Sequence, residues 1–159
     1  MFQVRRAKIC EAKILTDLVV RSEAYWGYDS AFMENFRSLY RVTEEFINNN
    51  ETFVMEEKEG IIGFYAILID EKETSLEYFY IDSKSIGRGY GKLLWEDMIK
   101  NCKEQGIDAI TFVTSPQAKE FYIKMGAIQV GEVDSIVITD RKIPRLVYII
   151  EKQNIKSLA

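Results

Sequence analysis

The chain has 159 residues, of which 47% are apolar and 29% are charged, so it is long enough to form one domain with a sizeable core. Its 21 basic and 25 acidic residues are interspersed and give a net charge of -4, which excludes the continuous basic surface that nucleic-acid backbones require. The sequence contains no His, so any proton transfer must use a carboxylate, Tyr, Cys, Lys or water.

The cysteines and apolar stretches favour a cytoplasmic protein. Cys10 and Cys102 are too few for a disulfide framework and lack the spacing of a zinc or redox site. The N-terminal residues do not resemble a secretion signal, and the longest uncharged apolar stretch, residues 60–69, is too short to cross a bilayer. We predict a single cytoplasmic domain over residues 1–159, with no metal, no nucleic-acid partner and no membrane partner.

The N-terminal part of the chain predicts one strand followed by helices. Period-two alternation at residues 2–5 is typical of a strand, and apolar residues then recur at helical spacing through residues 8–25. Asp29 or Ser30 is placed to cap a second helix, and Thr43 to cap a short helical turn.

From residue 52 the pattern changes to short strands separated by turns and helices. The helix that precedes Gly106 is expected to bury Leu93, Leu94, Met98 and Ile99. The elements predicted in chain order are a hairpin of residues 52–55 and 61–69, a strand at 75–81, a helix at 91–105, a strand at 109–113, a helix at 115–125, and strands at 127–133 and 143–151. This order describes an α/β protein with a mixed sheet and helices on its faces.

Three alternating glycines, Gly87, Gly89 and Gly91, stand where a predicted strand leads into a helix. Such a loop lets backbone N–H groups converge on an anion at the positive end of the helix. The dinucleotide fingerprint does not fit, because it needs Gly where Lys92 or Leu94 stands. The ATP-binding loop does not fit either, and a flexible turn without a ligand is the alternative interpretation.

This loop and a later helix resemble those of the GNAT family of acyl-CoA-dependent N-acetyltransferases. The family's loop has the form Gln/Arg-x-x-Gly-x-Gly/Ala, and residues 86–91 match both small positions but place Ile86 at the first. Residues 118–127 look like the family's segment Ala-x-x-Phe-Tyr-x-x-x-Gly-Phe/Ala. The resemblance extends to residues 21–28 and 76–82, so it covers most of the chain.

The resemblance implies a mostly antiparallel sheet of about six to seven strands with about four flanking helices. The sheet would be splayed between strands 75–81 and 109–113, where the pantetheine arm of acetyl-CoA lies. Ser115 stands where many members have an Asn that contacts this arm, and Tyr122 stands where a phenol lies near the thioester sulfur. The implied cofactor-binding residues are Phe79, Tyr80, Ile81, Gly87, Arg88, Gly89, Tyr90, Gly91, Lys92, Ser115 and Tyr122.

The chemistry of acetyl transfer to an amine points to two catalytic residues. An alkyl ammonium has a pKa of about 10.4 and must lose a proton before it can attack. Glu77, acting directly or through water, is the best-placed proton acceptor, although a solvated charge on a strand is equally consistent with its position. Backbone N–H groups near residues 79–81 would stabilise the oxyanion, and Tyr122 would protonate the leaving thiolate.

The acceptor pocket is predicted between the two N-terminal helices. Tyr25, Trp26 and Tyr28 surround a glycine in the break between the helices, and together with Asp29 and Glu34 they could surround a cationic amine. Phe32 and Phe36 are expected to pack the core instead. We expect a small-molecule or peptide amine as acceptor, direct transfer in a ternary complex, and edge strands that leave a homodimer open. A non-catalytic acyl-CoA binding or sensing module is the alternative function, suggested by Ile86.

Overall fold

The structure of the protein, a computed structural model, describes residues 1–150, so the predicted strand end at residue 151 lies outside the described residues. The strands are β1 (Gln3–Arg6), β2 (Glu51–Glu57), β3 (Gly60–Ile69), β4 (Thr74–Ile81), β5 (Ala109–Val113), β6 (Ile128–Asp134) and β7 (Lys142–Ile149). The helices are α1 (Ala12–Ala24), α2 (Ser30–Leu39), α3 (Glu44–Asn49), α4 (Tyr90–Glu104) and α5 (Lys119–Lys124).

All seven strands form one sheet in the order β1-β2-β3-β4-β5-β7-β6. Every neighbouring pair is antiparallel except β4 and β5, which are parallel. The predicted mixed, mostly antiparallel sheet is therefore confirmed, with five α-helices in the described part of the chain rather than about four.

The central strand β3 divides the core into two clusters, because successive side chains of a strand point to opposite faces. Phe64 packs with Leu15 and Leu18 of α1, while its neighbour Tyr65 packs with Leu94 and Met98 of α4. The first three helices thus cover one face of the sheet, and α4 and α5 cover the other. Both faces of β3 are buried, which explains its nearly continuous apolar sequence.

The predicted helix starts are confirmed at α2 and α3. The Asp29 carboxylate accepts a hydrogen bond from the Phe32 N–H at 2.8 Å, and the Thr43 hydroxyl accepts one from the Phe46 N–H at 3.0 Å. The first helix begins later than predicted, because a 3-10 turn at Ile9–Glu11 precedes it.

Two other helix predictions need correction. The helix expected at 115–125 begins only at Lys119, because the Ser115 hydroxyl closes a turn by accepting the Ala118 N–H at 3.3 Å. In α4 the prediction that Leu93 is buried is wrong. Leu94, Trp95 and Met98 are buried in the core, whereas 39% of the surface of Leu93 is exposed.

Strands β4 and β5 separate almost as soon as they meet. Their only pairing in the described structure joins Ser75 and Thr111, near the start of β4. From there onward the edge of β4 that faces β5 has no backbone partner among residues 1–150, which confirms the predicted splay. No helix among the described residues is long and apolar enough to span a membrane.

Candidate active site

The glycine loop between β4 and α4 presents a row of unbonded N–H groups. Gly87 and Gly89 have φ angles of 87° and 84°, a left-handed conformation that glycine adopts without strain. Gly91 is needed for a different reason, since a Cβ there would lie 3.0 Å from the ring of Phe121. Within the described residues, the N–H groups of residues 87–92 make no hydrogen bond to the protein. They are available to an anion at the positive end of α4, as predicted.

An ion pair attaches this loop to α1. The Asp82 side chain, only 1% exposed at the end of β4, accepts a hydrogen bond from the Arg21 guanidinium at 2.8 Å. Burial opposes the ionisation of Asp82, but the hydrogen bond and charge of Arg21 outweigh it and lower the pKa of the carboxyl. The C-terminal end of α1 is therefore held against the strand that leads into the glycine loop.

A β-bulge in β4 places Glu77, the predicted proton acceptor. The register with β3 shifts so that Leu76 pairs with Ile67 and Tyr78 pairs with Ala66, which leaves Glu77 as the extra residue. The bulge also moves Leu76 to the face of α4. Because a bulge bends a strand and redirects its side chains, this feature starts the separation of β4 from β5.

A cavity of about 400 Å³ occupies the space beside the splay. Its walls come from the end of α1, from α2, from β4 and β5, and from the loop of residues 135–141 between β6 and β7. The predicted site residues that line it are Trp26, Tyr28, Glu77, Phe79, Tyr80, Ile81, Ser115 and Tyr122. Ile86 lines it as well, so the cavity reaches the start of the glycine loop, whose residues Gly87, Arg88, Gly89, Tyr90, Gly91 and Lys92 lie outside the lining.

Tyr122 lies at the splay, on the first turns of α5. It is 7% exposed and its ring packs edge-on or tilted against Phe79, Trp95 and Phe112. Burial raises the pKa of its phenol, and the nearby charge of Glu23 raises it further. The phenol therefore keeps its proton at neutral pH and can donate it.

Aromatic rings on α2 and at its two ends form one wall of the cavity. Tyr28, Phe32, Phe36 and Tyr40 follow one another at helical spacing, with ring centroids 3.9, 6.1 and 4.7 Å apart. The predicted packing role of Phe36 is confirmed, since it is buried in the core, yet both phenylalanines also face the cavity. Tyr25 lies outside the lining, 55% exposed and edge-on to Trp26.

The carboxylates of the cavity match those that the sequence indicated only in part, since Glu77 lines it but the two carboxylates expected beside the acceptor do not. Asp29 caps α2 and neither it nor Glu34 lines the cavity. Glu23 lies there instead, at the end of α1, with only 8% of its surface exposed. Burial raises its pKa to about 7, while the charge of Arg141 acts in the opposite direction.

The fold and site define an α/β protein with a glycine loop of unbonded N–H groups beside a cavity lined by ionisable groups. A profile of the acetyltransferase (GNAT) domain matches residues 14–135. The chain belongs to the GNAT acetyltransferase family, and this membership supports an acyltransferase activity. Comparison with curated protein sequences gives no significant match.

Solved structures support the same fold. The PaiA N-acetyltransferase of Thermoplasma acidophilum, solved with coenzyme A, is 17% identical with a TM-score of 0.78 over 94% of this chain and 99% of its own. The ribosomal-protein-S18-alanine N-acetyltransferase of Escherichia coli is 13% identical with a TM-score of 0.72 over 96% of each chain. The putative acetyltransferase yncA of Salmonella typhimurium, solved with acetyl-CoA, is 12% identical with a TM-score of 0.66 over 96% of each chain.

Proposed function

We propose that the protein transfers an acetyl group from acetyl-CoA to the primary amine of a small molecule, directly within a ternary complex. The observation that carries this proposal is the splay. The unpaired edge of β4 leads from the N–H groups of residues 87–92 to a cavity that contains Glu23, Glu77 and Tyr122. The cavity volume of about 400 Å³ suits a small acceptor.

The residues around the splay fit coenzyme A. The free N–H groups of residues 87–92 suit a diphosphate, and Arg88 and Lys92 add positive charge beside it. The edge of β4 at residues 77–81 has free backbone groups that can pair with the amides of the pantetheine arm, as an added strand would. When bound, acetyl-CoA supplies the activated thioester.

Two carboxyls are placed to receive the proton of the amine. Glu77 is exposed on the bulge and accepts a hydrogen bond from the Ser75 hydroxyl at 2.9 Å. The buried carboxyl of Glu23 makes no hydrogen bond or ion pair within the described residues and is therefore free to take up a proton. We assign the proton acceptor to Glu23, since a base is most effective when its pKa lies near the working pH. Glu77 then attracts the ammonium form of the acceptor.

The remaining groups complete the transfer. As the new N–C bond forms and the C–S bond breaks, negative charge develops first on the carbonyl oxygen and then on the sulfur. Backbone N–H groups of residues 79–81 on the free edge of β4 stabilise the oxygen. Tyr122 gives its phenolic proton to the leaving sulfur, which releases the free thiol. The nitrogen of the new amide loses its second proton through solvent, and the Tyr122 phenolate regains one.

Release of free thiol from acetyl-CoA against a panel of amines tests this proposal, with calorimetry of coenzyme A binding alongside. We expect tight binding and amine-dependent release, and coenzyme A should shift the amide resonances of residues 87–92. Tight binding without release by any amine would instead favour the acyl-CoA sensing module. Unmoved resonances at saturation would reject both functions.

A further inference from the structure

Arg141 is held at the cavity by a folded loop between β6 and β7. The Ser135 N–H donates to the Arg141 carbonyl at 2.8 Å and closes the base of the loop. The Ser135 hydroxyl accepts the Val137 N–H at 3.2 Å, and the Asn35 side chain of α2 donates to the Val137 carbonyl at 3.1 Å. The loop is therefore fastened both to itself and to the aromatic wall, which fixes the backbone from which Arg141 extends.

The charged groups that line the cavity are Glu23, Glu73, Glu77, Arg141 and Arg145. Arg145 is neutralised by Glu73 at 2.7 Å, and Glu77 accepts a hydrogen bond from a serine hydroxyl. Arg141 has no ion pair within the described residues and reaches only the Gln117 side-chain oxygen, at 3.4 Å. The cavity thus contains one cation without an ion pair and one buried carboxyl without a hydrogen bond in the described part of the chain.

Tyr28 provides an independent indication at the same place. Its hydroxyl oxygen is fully buried and has no hydrogen-bond partner among the described residues. The Arg141 guanidinium carbon lies 6.0 Å from the centre of the Tyr28 ring. A buried hydroxyl without a partner is costly, so a ligand oxygen bound beside Arg141 would offer an acceptor to a group that now has none.

We propose that the acceptor carries an anionic oxygen group, a carboxylate or a phosphate, that Arg141 binds while its amine is presented to Glu23. This inference rests on the proposed function and names its substrate class. The planar guanidinium donates paired hydrogen bonds to both kinds of anion. Glu23 lines the same cavity as Tyr122, the proposed proton donor to the leaving sulfur. A diamine would instead set a second positive charge against Arg141.

Matched pairs of amines test the inference on the full chain loaded with coenzyme A. Each pair differs only in the anionic group: phenylalanine and phenethylamine, γ-aminobutyrate and propylamine, and O-phosphoethanolamine and ethanolamine. Calorimetry measures the affinity of each amine, and thiol release from acetyl-CoA measures turnover in parallel. The first two pairs report a carboxylate preference and the third reports a phosphate preference.

We expect the anionic member of at least one pair to bind about tenfold to a hundredfold more tightly than its neutral partner. Arg141→Gln should abolish that difference and Arg141→Lys should retain part of it. Lys142→Gln is the matched control, because it removes the same charge from the next residue, whose exposed side chain pairs with Asp134 away from the cavity. It should leave every affinity unchanged.

Four results would each overturn the inference. Three concern the wild type: equal binding within all pairs, stronger binding of the neutral members, or no binding of any anionic amine. The fourth is a preference for the anionic member that survives Arg141→Gln. The proposed function has a separate readout. Turnover of neutral amines without a preference for anionic ones would reject the anionic substrate class and leave the proposed acetyltransferase activity supported. Binding of anionic amines that depends on Arg141 but is not accompanied by thiol release would reject the acetyltransferase activity and support the anion site at Arg141.

Discussion

Tyr122 combines burial with access to the cavity, and this combination defines its expected role. The pKa of a free tyrosine, about 10, already keeps its phenol protonated at neutral pH, and burial raises the pKa of Tyr122 further. We predict that Tyr122→Phe lowers the turnover number at least about tenfold, since the leaving sulfur loses its proton donor. The affinity for acetyl-CoA should change little, because the ring and its packing remain. Steady-state kinetics and calorimetry measure the two quantities.

Tyr148→Phe is the matched control for this substitution. Tyr148 packs edge-on against Trp95 in the same core cluster, but it does not line the cavity. Loss of the Tyr148 hydroxyl should therefore leave turnover unchanged. Unaltered turnover in Tyr122→Phe would remove Tyr122 from the mechanism.

Glu23 makes a prediction about stability as a function of pH. Burial raises its pKa to about 7, whereas a Glu in an unfolded chain titrates near about 4.3. Between these values the folded state binds more protons than the unfolded state, so this group's contribution to stability falls as the pH rises. Glu23→Gln removes the buried charge and keeps the shape. The melting temperature of the variant should rise relative to the wild type from about pH 5 to about pH 7 and then level off.

Glu56→Gln provides a control of opposite sign. The hydrogen bond from Arg5 lowers the pKa of Glu56 to about 2. The ionised carboxylate therefore makes its full contribution to stability above the pKa of a Glu in an unfolded chain, and this contribution is lost only in acid. This variant should therefore be less stable than the wild type by a constant amount over the same pH range. Thermal unfolding at a series of pH values measures both. A difference in melting temperature between Glu23→Gln and the wild type that stays constant with pH would show that the Glu23 carboxyl is not desolvated.

Sequence motifs predicted some of these residues and could not predict others. Tyr122 and Glu77 stand in recognisable segments, so their position at the splay could be inferred from the resemblance. Glu23 lies in the last turn of an ordinary amphipathic helix, and nothing in the local pattern distinguishes a buried carboxyl there from a solvated one. Arg141 lies in a loop whose path depends on contacts with α2, and α2 is distant from this loop in sequence.

At the scale of elements, the glycine loop yields a comparison between two similar positions. Gly89 caps the start of α4 and Gly106 follows its end, with φ angles of 84° and 74° and open space around an added Cβ. Alanine at either position should cost about 1 to 2 kcal/mol of stability, because both conformations disfavour a side chain. We predict that only Gly89→Ala also weakens coenzyme A binding, since it alone alters the N–H groups of residues 87–92.

Denaturant unfolding and calorimetry on the two variants measure this comparison. Equal stability loss with unequal affinity for coenzyme A is the expected result. Equal affinities in Gly89→Ala and Gly106→Ala would mean that the backbone of the glycine loop does not hold the coenzyme.

The elements themselves were largely predictable, and the bulge in β4 was not. Capping residues such as Asp29 and Thr43 act within a few residues of chain, so their effect can be inferred locally. In contrast, residues 76–81 are compatible with regular strand geometry. The bulge at Glu77 follows from pairing with β3, where Leu76 must reach the α4 face while Tyr78 packs against the α1 face.

At the scale of the whole molecule, the sheet consists of two parts with little backbone contact. Strands β1 to β4 form one part and β5, β7 and β6 form the other, joined by the single pair Ser75 and Thr111 in the described structure. Side chains of α4 and α5 hold the parts together through the core that includes Trp95 and Phe112. The strand order depends on these long-range contacts, and the sequence alone indicated the splay only through the family resemblance.

This architecture predicts that acetyl-CoA binding couples the two parts of the sheet. A ligand that pairs with the free edge of β4 and contacts β5 supplies hydrogen bonds that the sheet lacks there. At about 100 times its dissociation constant it should raise the free energy of unfolding by about 2.7 kcal/mol. Hydrogen exchange should slow at residues 77–81 and 111–113 as well as at residues 87–92. It should change least in the hairpin of β2 and β3, because each of these strands already pairs with a neighbour on both sides. Protection confined to residues 87–92 would place the coenzyme on the loop alone and leave the splay without a ligand.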